Sequence, residues 1–168
     1  MTSKTDKAIS EFVEQMGLIL QAEGLPRIAG HIMGLMIMHE GPFSLSQLAE
    51  RLNVSRASIS TNTRLLEDLG VIVRTATPGD RQDYFKLGQR PYARMLRGIV
   101  RRMHRARDVV ESTQRALPEA MIDSQERLQE LDAFYEALIE SFGDVIDTWD
   151  SEGHRLDSES RNSDRPLV

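Results

Sequence analysis

Ile9, Phe12, Val13, Met16 and Ile19 recur at helical spacing, which predicts an amphipathic helix closed by Gly24. Pro26 then stands where a second helix starts. Its apolar residues Ile28, Ala29, Ile32, Met33, Leu35, Met36, Ile37 and Met38 cover nearly every side, so this helix belongs at the centre of the core. Gly30 and Gly34 lie one turn apart on it, a pattern that lets another backbone approach closely. Gly41-Pro42 ends the segment.

The next stretch carries sharper local signals. Ser44-Leu-Ser-Gln47 reads as a capping box ahead of Leu45, Leu48, Ala49 and Leu52, a helix of about two turns. Asn53 can take a left-handed conformation at low cost, and Ser55 is a second N-cap, with Val54 and Ile59 placed as a hydrophobic staple. The helix that follows runs to Gly70 with Ile59, Thr63, Leu66 and Leu69 turned inward. Beyond it, the β-branched and aromatic runs Val71–Thr77 and Asp83–Leu87 flank Thr77-Pro-Gly-Asp80, which suits a type II turn.

Two long heptad seams complete the pattern. Tyr92, Leu96, Ile99, Met103, Ala106, Val110, Thr113 and Leu117 alternate spacings of four and three up to Pro118, and Leu128, Leu131, Tyr135, Leu138, Phe142, Val145 and Trp149 repeat the rhythm. Such helices pack as a hairpin or pair with a second copy. After Trp149 apolar residues nearly vanish, which predicts a disordered tail.

Charge changes the picture. The chain's formal net charge of -5 opposes nucleic-acid binding at first sight, but residues 51–110 hold 13 Lys/Arg against 5 Asp/Glu, whereas 111–168 hold 5 against 15. The middle segment therefore suits a polyanion, unless it simply neutralises the acidic arm. There are no cysteines, which excludes disulfides, zinc-thiolate sites and thiol nucleophiles. His31, His39, His104 and His154 are scattered, and no phosphate loop, HExxH or GxSxG motif occurs, so no enzyme, metal site or cofactor is expected. His31 and His39 read as satisfied core or boundary histidines. Without a long apolar run or leader the chain is expected to be soluble and cytoplasmic, with no membrane partner.

Two short helices across a tight turn, then a two-stranded ribbon with a polar tip, are the parts of a winged helix-turn-helix. The expected fold is mainly α with a small two- or three-stranded antiparallel wing and long N- and C-terminal dimerisation helices. Its parts are a flexible N-terminus (1–7), N-terminal helices (8–40), the winged helix-turn-helix (41–90), long dimerisation helices (91–149) and an acidic-polar tail (150–168). Opposite the inward residues, Ala57, Ser60, Thr61 and Arg64 share a small polar face that could enter a major groove. Ser55, Arg56 and Ser58 place donors at that helix's N-terminus, where a phosphate could bind, while Glu67 and Asp68 should face away. On the wing, Arg81 and Gln82 stand at the tip with Arg74 and Lys86 behind, able to reach a minor groove. Ser44, Arg90 and Arg94 are candidate phosphate contacts. Arg90, Arg94, Arg97 and Arg101 form a stripe that reaches phosphates or pairs with Glu126, Glu130, Glu136 and Glu140; phosphate is favoured for the first two and internal pairing for the others.

Gly24-Leu-Pro-Arg-Ile-Ala-Gly-His-Ile-Met-Gly34, Leu48-Ala-Glu-Arg-Leu52, Ser55-Arg-Ala-Ser-Ile-Ser60 and Gly79-Asp-Arg-Gln-Asp-Tyr84 together resemble the GbsR branch of the MarR-type regulators, over roughly residues 8–148. The resemblance implies a two-fold dimer that sets two reading helices on a near-palindromic double-stranded DNA operator, and repression relieved by a small molecule. It also implies a quaternary ammonium osmolyte as effector, held by an aromatic cage. Aromatics are only 5% of the chain, and Phe12, Tyr92, Phe134, Tyr135, Phe142 and Trp149 read first as core and seam residues. The rival reading is a winged-helix module that binds an acidic protein without DNA; steep salt dependence would separate the two.

Overall fold

The computed structural model describes residues 4–76 and 79–163, with side chains through residue 151. The chain divides into two compact units, Met1–Pro91 and Tyr92–Val168.

The first unit holds helices α1 (Lys4–Ala22), α2 (Arg27–Met38), α3 (Leu45–Leu52) and α4 (Arg56–Asp68) and strands β1 (Phe43–Ser44), β2 (Ile72–Ala76) and β3 (Asp83–Leu87). α2 is the central element, burying Ala29, Gly30, Ile32, Gly34, Leu35 and Met36. Met38 at its end is exposed. The two glycines explain how α1 lies against α2: a Cβ on Gly30 would sit 2.3 Å from the Met16 carbonyl oxygen, and one on Gly34 would sit 3.1 Å from Val13 Cα. Backbone meets backbone there, so tight packing is the role of both. On α1 the buried residues are Gly17 and Leu20, whereas Ile19, expected inward, is exposed. The close approach at Gly17 selects which side of α1 is covered, and this shifts the buried face off the apolar stripe by one position.

Three helices of this unit end the same way. Leu25 N–H reaches Leu20 O, Val54 N–H reaches Ala49 O, and Val71 N–H reaches Leu66 O, each across a left-handed residue, Gly24, Asn53 or Gly70. This closure satisfies carbonyls that a helix end leaves open. At the other end of α3 the capping box is complete: Gln47 N–H donates to Ser44 Oγ at 3.2 Å and Ser44 N–H to Gln47 Oε1 at 2.8 Å. Ser55 Oγ accepts from Ser58 N–H and caps α4. Such caps contribute about 1 kcal/mol each.

The sheet has three antiparallel strands in the order β1-β3-β2. β2 and β3 pair from Ile72↔Leu87 to Ala76↔Asp83, and β1 adds Phe43↔Phe85 and Ser44↔Tyr84. The expected turn falls partly on Thr77 and Pro78, outside the described residues; Gly79 has φ +85°.

The second unit is a helical hairpin of α5 (Pro91–Ala116) and α6 (Ile122–Ser163). Arg107 donates to both carboxylate oxygens of Asp132 at 2.7 and 2.8 Å and lies 3.5 Å from Glu136. Arg97 pairs with Asp150, and Gln125 Nε2 donates to Gln114 O. The backbone departs from expectation at both ends. α1 begins at Lys4, and α6 continues through Ser163 where a disordered tail was expected from 150. Extending a formed helix costs far less than starting one, so a polar segment can continue it without an apolar face. The seam residues Leu131, Val145 and Trp149 are exposed on the single chain, and among the described residues of α6 the buried apolar one is Ile146. Gln125, Asp132, Ile146 and Asp150 lie about a quarter turn around α6 from the seam.

Candidate nucleic-acid interface

α4 separates two chemistries along one helix. Ile59, Asn62, Thr63 and Leu66 are buried, while Ser55, Arg56, Ala57, Thr61 and Arg64 are exposed and Ser58 and Ser60 lie half-buried. The outward face is short and polar with one long cation in its midst. Thr61 Oγ1 donates to Ala57 O at 3.1 Å, which leaves its methyl to the surface. Arg56 and Arg64 make no ion pair or hydrogen bond among the described residues, so both guanidiniums can take acceptors from outside. At the helix N-terminus Ser55 Oγ also donates to Ser58 Oγ at 3.1 Å. Short side chains on such a face leave room for a close backbone approach to a groove, and Arg64 is the long donor on it.

Sequence reasoning missed Asn62. Its Nδ2 donates to Ser58 O at 2.8 Å while its buried Oδ1 has no partner among the described residues. With Thr61 and Thr63, it makes a run of three side chains bonded back to carbonyls one turn earlier. A polar residue between Thr61 and Thr63 gives no apolar signal, so burial at this position was not legible.

The wing presents a more selective set of cations than expected. Asp80 organises the tip: its Oδ1 accepts from Gln82 N–H at 2.9 Å and its Oδ2 from Tyr84 OH at 2.8 Å. These donors hold the Asp80 carboxyl below its ordinary value, the Gln82 amide most strongly, and the bond from Tyr84 to Asp80 raises the Tyr84 hydroxyl. Arg81 and Gln82 are exposed at this tip, and Lys86 is exposed on β3. Arg81 has no ion pair among the described residues.

Two of the expected residues are already engaged within the chain. Arg74 is not a free arm: its guanidinium lies 3.2 Å from Asp83 and 3.6 Å from Glu67, over the Phe85 ring at 5.6 Å. It ties β2 both to β3 and to the C-terminal part of α4, contacts that no sequence spacing reveals. Ser44 is not displayed to phosphate, since it is 4% exposed and both its hydroxyl and its N–H are used in the capping box. Arg90 takes a left-handed backbone, φ +50°, just before Pro91. Arg94 is exposed on α5, in the other unit. Arg97 pairs internally, with Asp150 and not with the glutamates anticipated.

A capped two-turn helix, a left-handed turn, an outward-facing polar helix and a three-stranded wing define a winged helix-turn-helix protein. A model described as the MarR family matches residues 23–83. The HTH-type transcriptional regulator MmpR5 of Mycobacterium tuberculosis is 38% identical over 124 residues, spanning 73% of this chain and 75% of that protein. The chain belongs to the MarR family and is a DNA-binding transcriptional regulator of that kind. The putative HTH-type transcriptional regulator YvaV of Bacillus subtilis is 25% identical over 87 residues, 52% of this chain and 49% of its own. A crystal structure of a transcriptional regulator superposes with a TM-score of 0.79 at 32% identity, covering 86% of this chain and 99% of that one. These relatives are regulators of transcription, which favours DNA over an acidic protein as the partner. Among the described residues no helix is long and apolar enough to cross a membrane.

Proposed function

We propose that the protein is a homodimeric, ligand-responsive repressor of the GbsR branch, binding a near-palindromic operator. Arg64 reads base edges among Ala57, Ser60 and Thr61. Ser55, Arg56 and Ser58 engage phosphate at the start of the reading helix, and Arg81, Gln82 and Lys86 extend the contact through the wing. Arg90 and Arg94 add phosphate contacts. The observation that carries the reading is the exposed small-residue face of α4 with an unpaired Arg64 at its centre, opposite a packing face of Ile59, Asn62, Thr63 and Leu66.

Dimerisation is supported by the unfilled seam of α6. Leu131 is 39% exposed, Val145 47% and Trp149 49%, with Leu128, Tyr135, Leu138 and Phe142 half-buried between them. The intrachain pairs to α5 lie on another side of the helix, so the seam is left for a second copy. Two-fold pairing of such surfaces sets reading helices about one duplex turn apart. The branch assignment rests on the Gly24–Gly34 block, whose Gly30 and Gly34 make the α1–α2 crossing.

The test is a titration of the chain against a fragment of its own upstream DNA over a range of salt. Affinity should fall with a slope of about -0.9 per phosphate contacted and exceed that for random DNA. Salt-independent binding, or equal affinity for random and upstream fragments, would refute the reading.

A further inference from the structure

A carboxylate on an element that meets DNA weakens binding by repelling phosphates, unless it does something else there. Glu67, in the last turn of the reading helix, and Asp83, on the wing, are two such groups. One guanidinium takes both. Arg74 Nη1 donates to Asp83 Oδ2 at 3.2 Å, and Arg74 Nη2 lies 3.6 Å from Glu67 Oε2. The planar fork of an arginine fixes the direction of both arms, which the single ammonium of a lysine cannot do. Beneath it, Phe43, Phe85 and Arg74 stand in one row across the three strands, and residues paired across a sheet share a face. Arg74 lies 5.6 Å over the Phe85 ring, and at the far end of the row Arg51 of α3 lies 5.1 Å over the Phe43 ring. The row thus runs from the first helix of the helix-turn-helix through the sheet to the second, and Glu67 is its last link.

We propose that Glu67, Arg74 and Asp83 are positioning residues for DNA recognition. They hold the wing strands against the reading helix, so that Arg81 and Arg64 arrive at one operator already in register. None of the three has to touch DNA. A wing released from α4 would have to be ordered on binding, and that ordering lowers affinity. The strength of the tie sets a ceiling on the effect: two partly exposed ion pairs together are worth no more than about tenfold in an equilibrium constant. The proposal rests on the reading above that α4 and the wing meet the same operator.

Anisotropy titration of the full chain with a labelled duplex from its own upstream region, at fixed salt, tests the tie. Glu67→Gln and Asp83→Asn each remove a negative charge at nearly constant shape. Loss of repulsion alone would strengthen binding to a polyanion, whereas loss of the tie should weaken it, by about two- to fivefold in each variant. Arg74→Met, which keeps an apolar cover on Phe85, should weaken binding by up to about tenfold, and Arg74→Lys should recover part of that loss. With the tie already broken, Glu67→Gln combined with Arg74→Met should bind no more weakly than Arg74→Met alone. Hydroxyl-radical footprints should lose the protection given by the wing and keep that given by α4, a change that a smaller folded fraction would not produce. If Arg74→Met fails to fold, the two carboxamide variants decide. Stronger or unchanged binding in either of them, additive losses in the combination, or a uniformly fading footprint would overturn the proposal while the operator reading stands. A wild-type chain with no preference for its upstream duplex over random DNA would refute the operator reading and the proposal with it.

Discussion

Gly30→Ala is a single added methyl whose cost follows from the α1–α2 crossing. The new carbon would lie 2.3 Å from Met16 O, 2.7 Å from Gly17 Cα and 2.8 Å from Met16 C, all backbone atoms. An ordinary contact needs about 3.5 Å, so α1 must withdraw by about 1 Å along its whole interface or unwind locally. No rotamer change relieves this, because no side chain is the obstacle. Overpacking of this kind costs about 1–3 kcal/mol, and backbone obstruction places Gly30 at the upper end or beyond. Gly143→Ala on α6 is the matched control. Nothing lies within 4 Å of its added carbon, and alanine in a helix interior is favoured by about 0.8–1 kcal/mol. Urea unfolding followed by far-ultraviolet circular dichroism should show a lower midpoint for Gly30→Ala and a higher one for Gly143→Ala. Trp149, the only tryptophan, lies in the second unit, so its fluorescence should follow the Gly143→Ala change more closely. Wild-type or greater stability in Gly30→Ala would refute the backbone-contact account of the crossing.

Other perturbations probe the interface. Arg64→Ala should cost about 1–3 kcal/mol of operator binding and blur preference at one base pair, whereas Arg81→Ala should weaken all sequences or narrow AT-rich flanks, both measured by fluorescence anisotropy. Equal, small effects would count against the assignment of the reading face. The Asp80 carboxyl is lowered in the folded chain, so its hold on the wing tip is complete above the ordinary carboxylate value and lost as pH falls through the folded one. Raised Tyr84 gives the opposite sign at the alkaline end: its contribution is present below its ordinary value near 10 and lost as pH rises through the folded one. Carboxyl NMR titration of Tyr84→Phe should find Asp80 moved back toward its ordinary value; an unchanged titration would deny the bond. Leu138→Asp on the α6 seam should yield monomer by sedimentation and abolish operator binding together, and a monomer with undiminished affinity for the full operator would contradict the two-fold arrangement.

Most of the first unit was legible because its signals are local. Ser44 with Gln47 and Ser55 with Ser58 act within one helical turn, and Gly24, Asn53 and Gly70 mark stops through their own backbone conformation, so neighbouring residues suffice to place these boundaries. The outward face of α4 follows from the same short-range geometry once Ile59, Thr63 and Leu66 are turned inward. What the order of residues could not decide was who meets whom across a distance. β1 is two residues long and too short to show alternation; only pairing of Phe43 with Phe85 makes it a strand. Arg74 became a structural tie because Glu67 and Asp83, seven and nine positions away, fold up beside it. Asn62 lay hidden between two threonines, and the side of α6 that meets α5 was set by Arg107 with Asp132 and by Ile146, not by the apolar seam. Periodicity and capping are properties of a segment, whereas burial and pairing depend on which surface another segment happens to cover, and only the assembled chain supplies that.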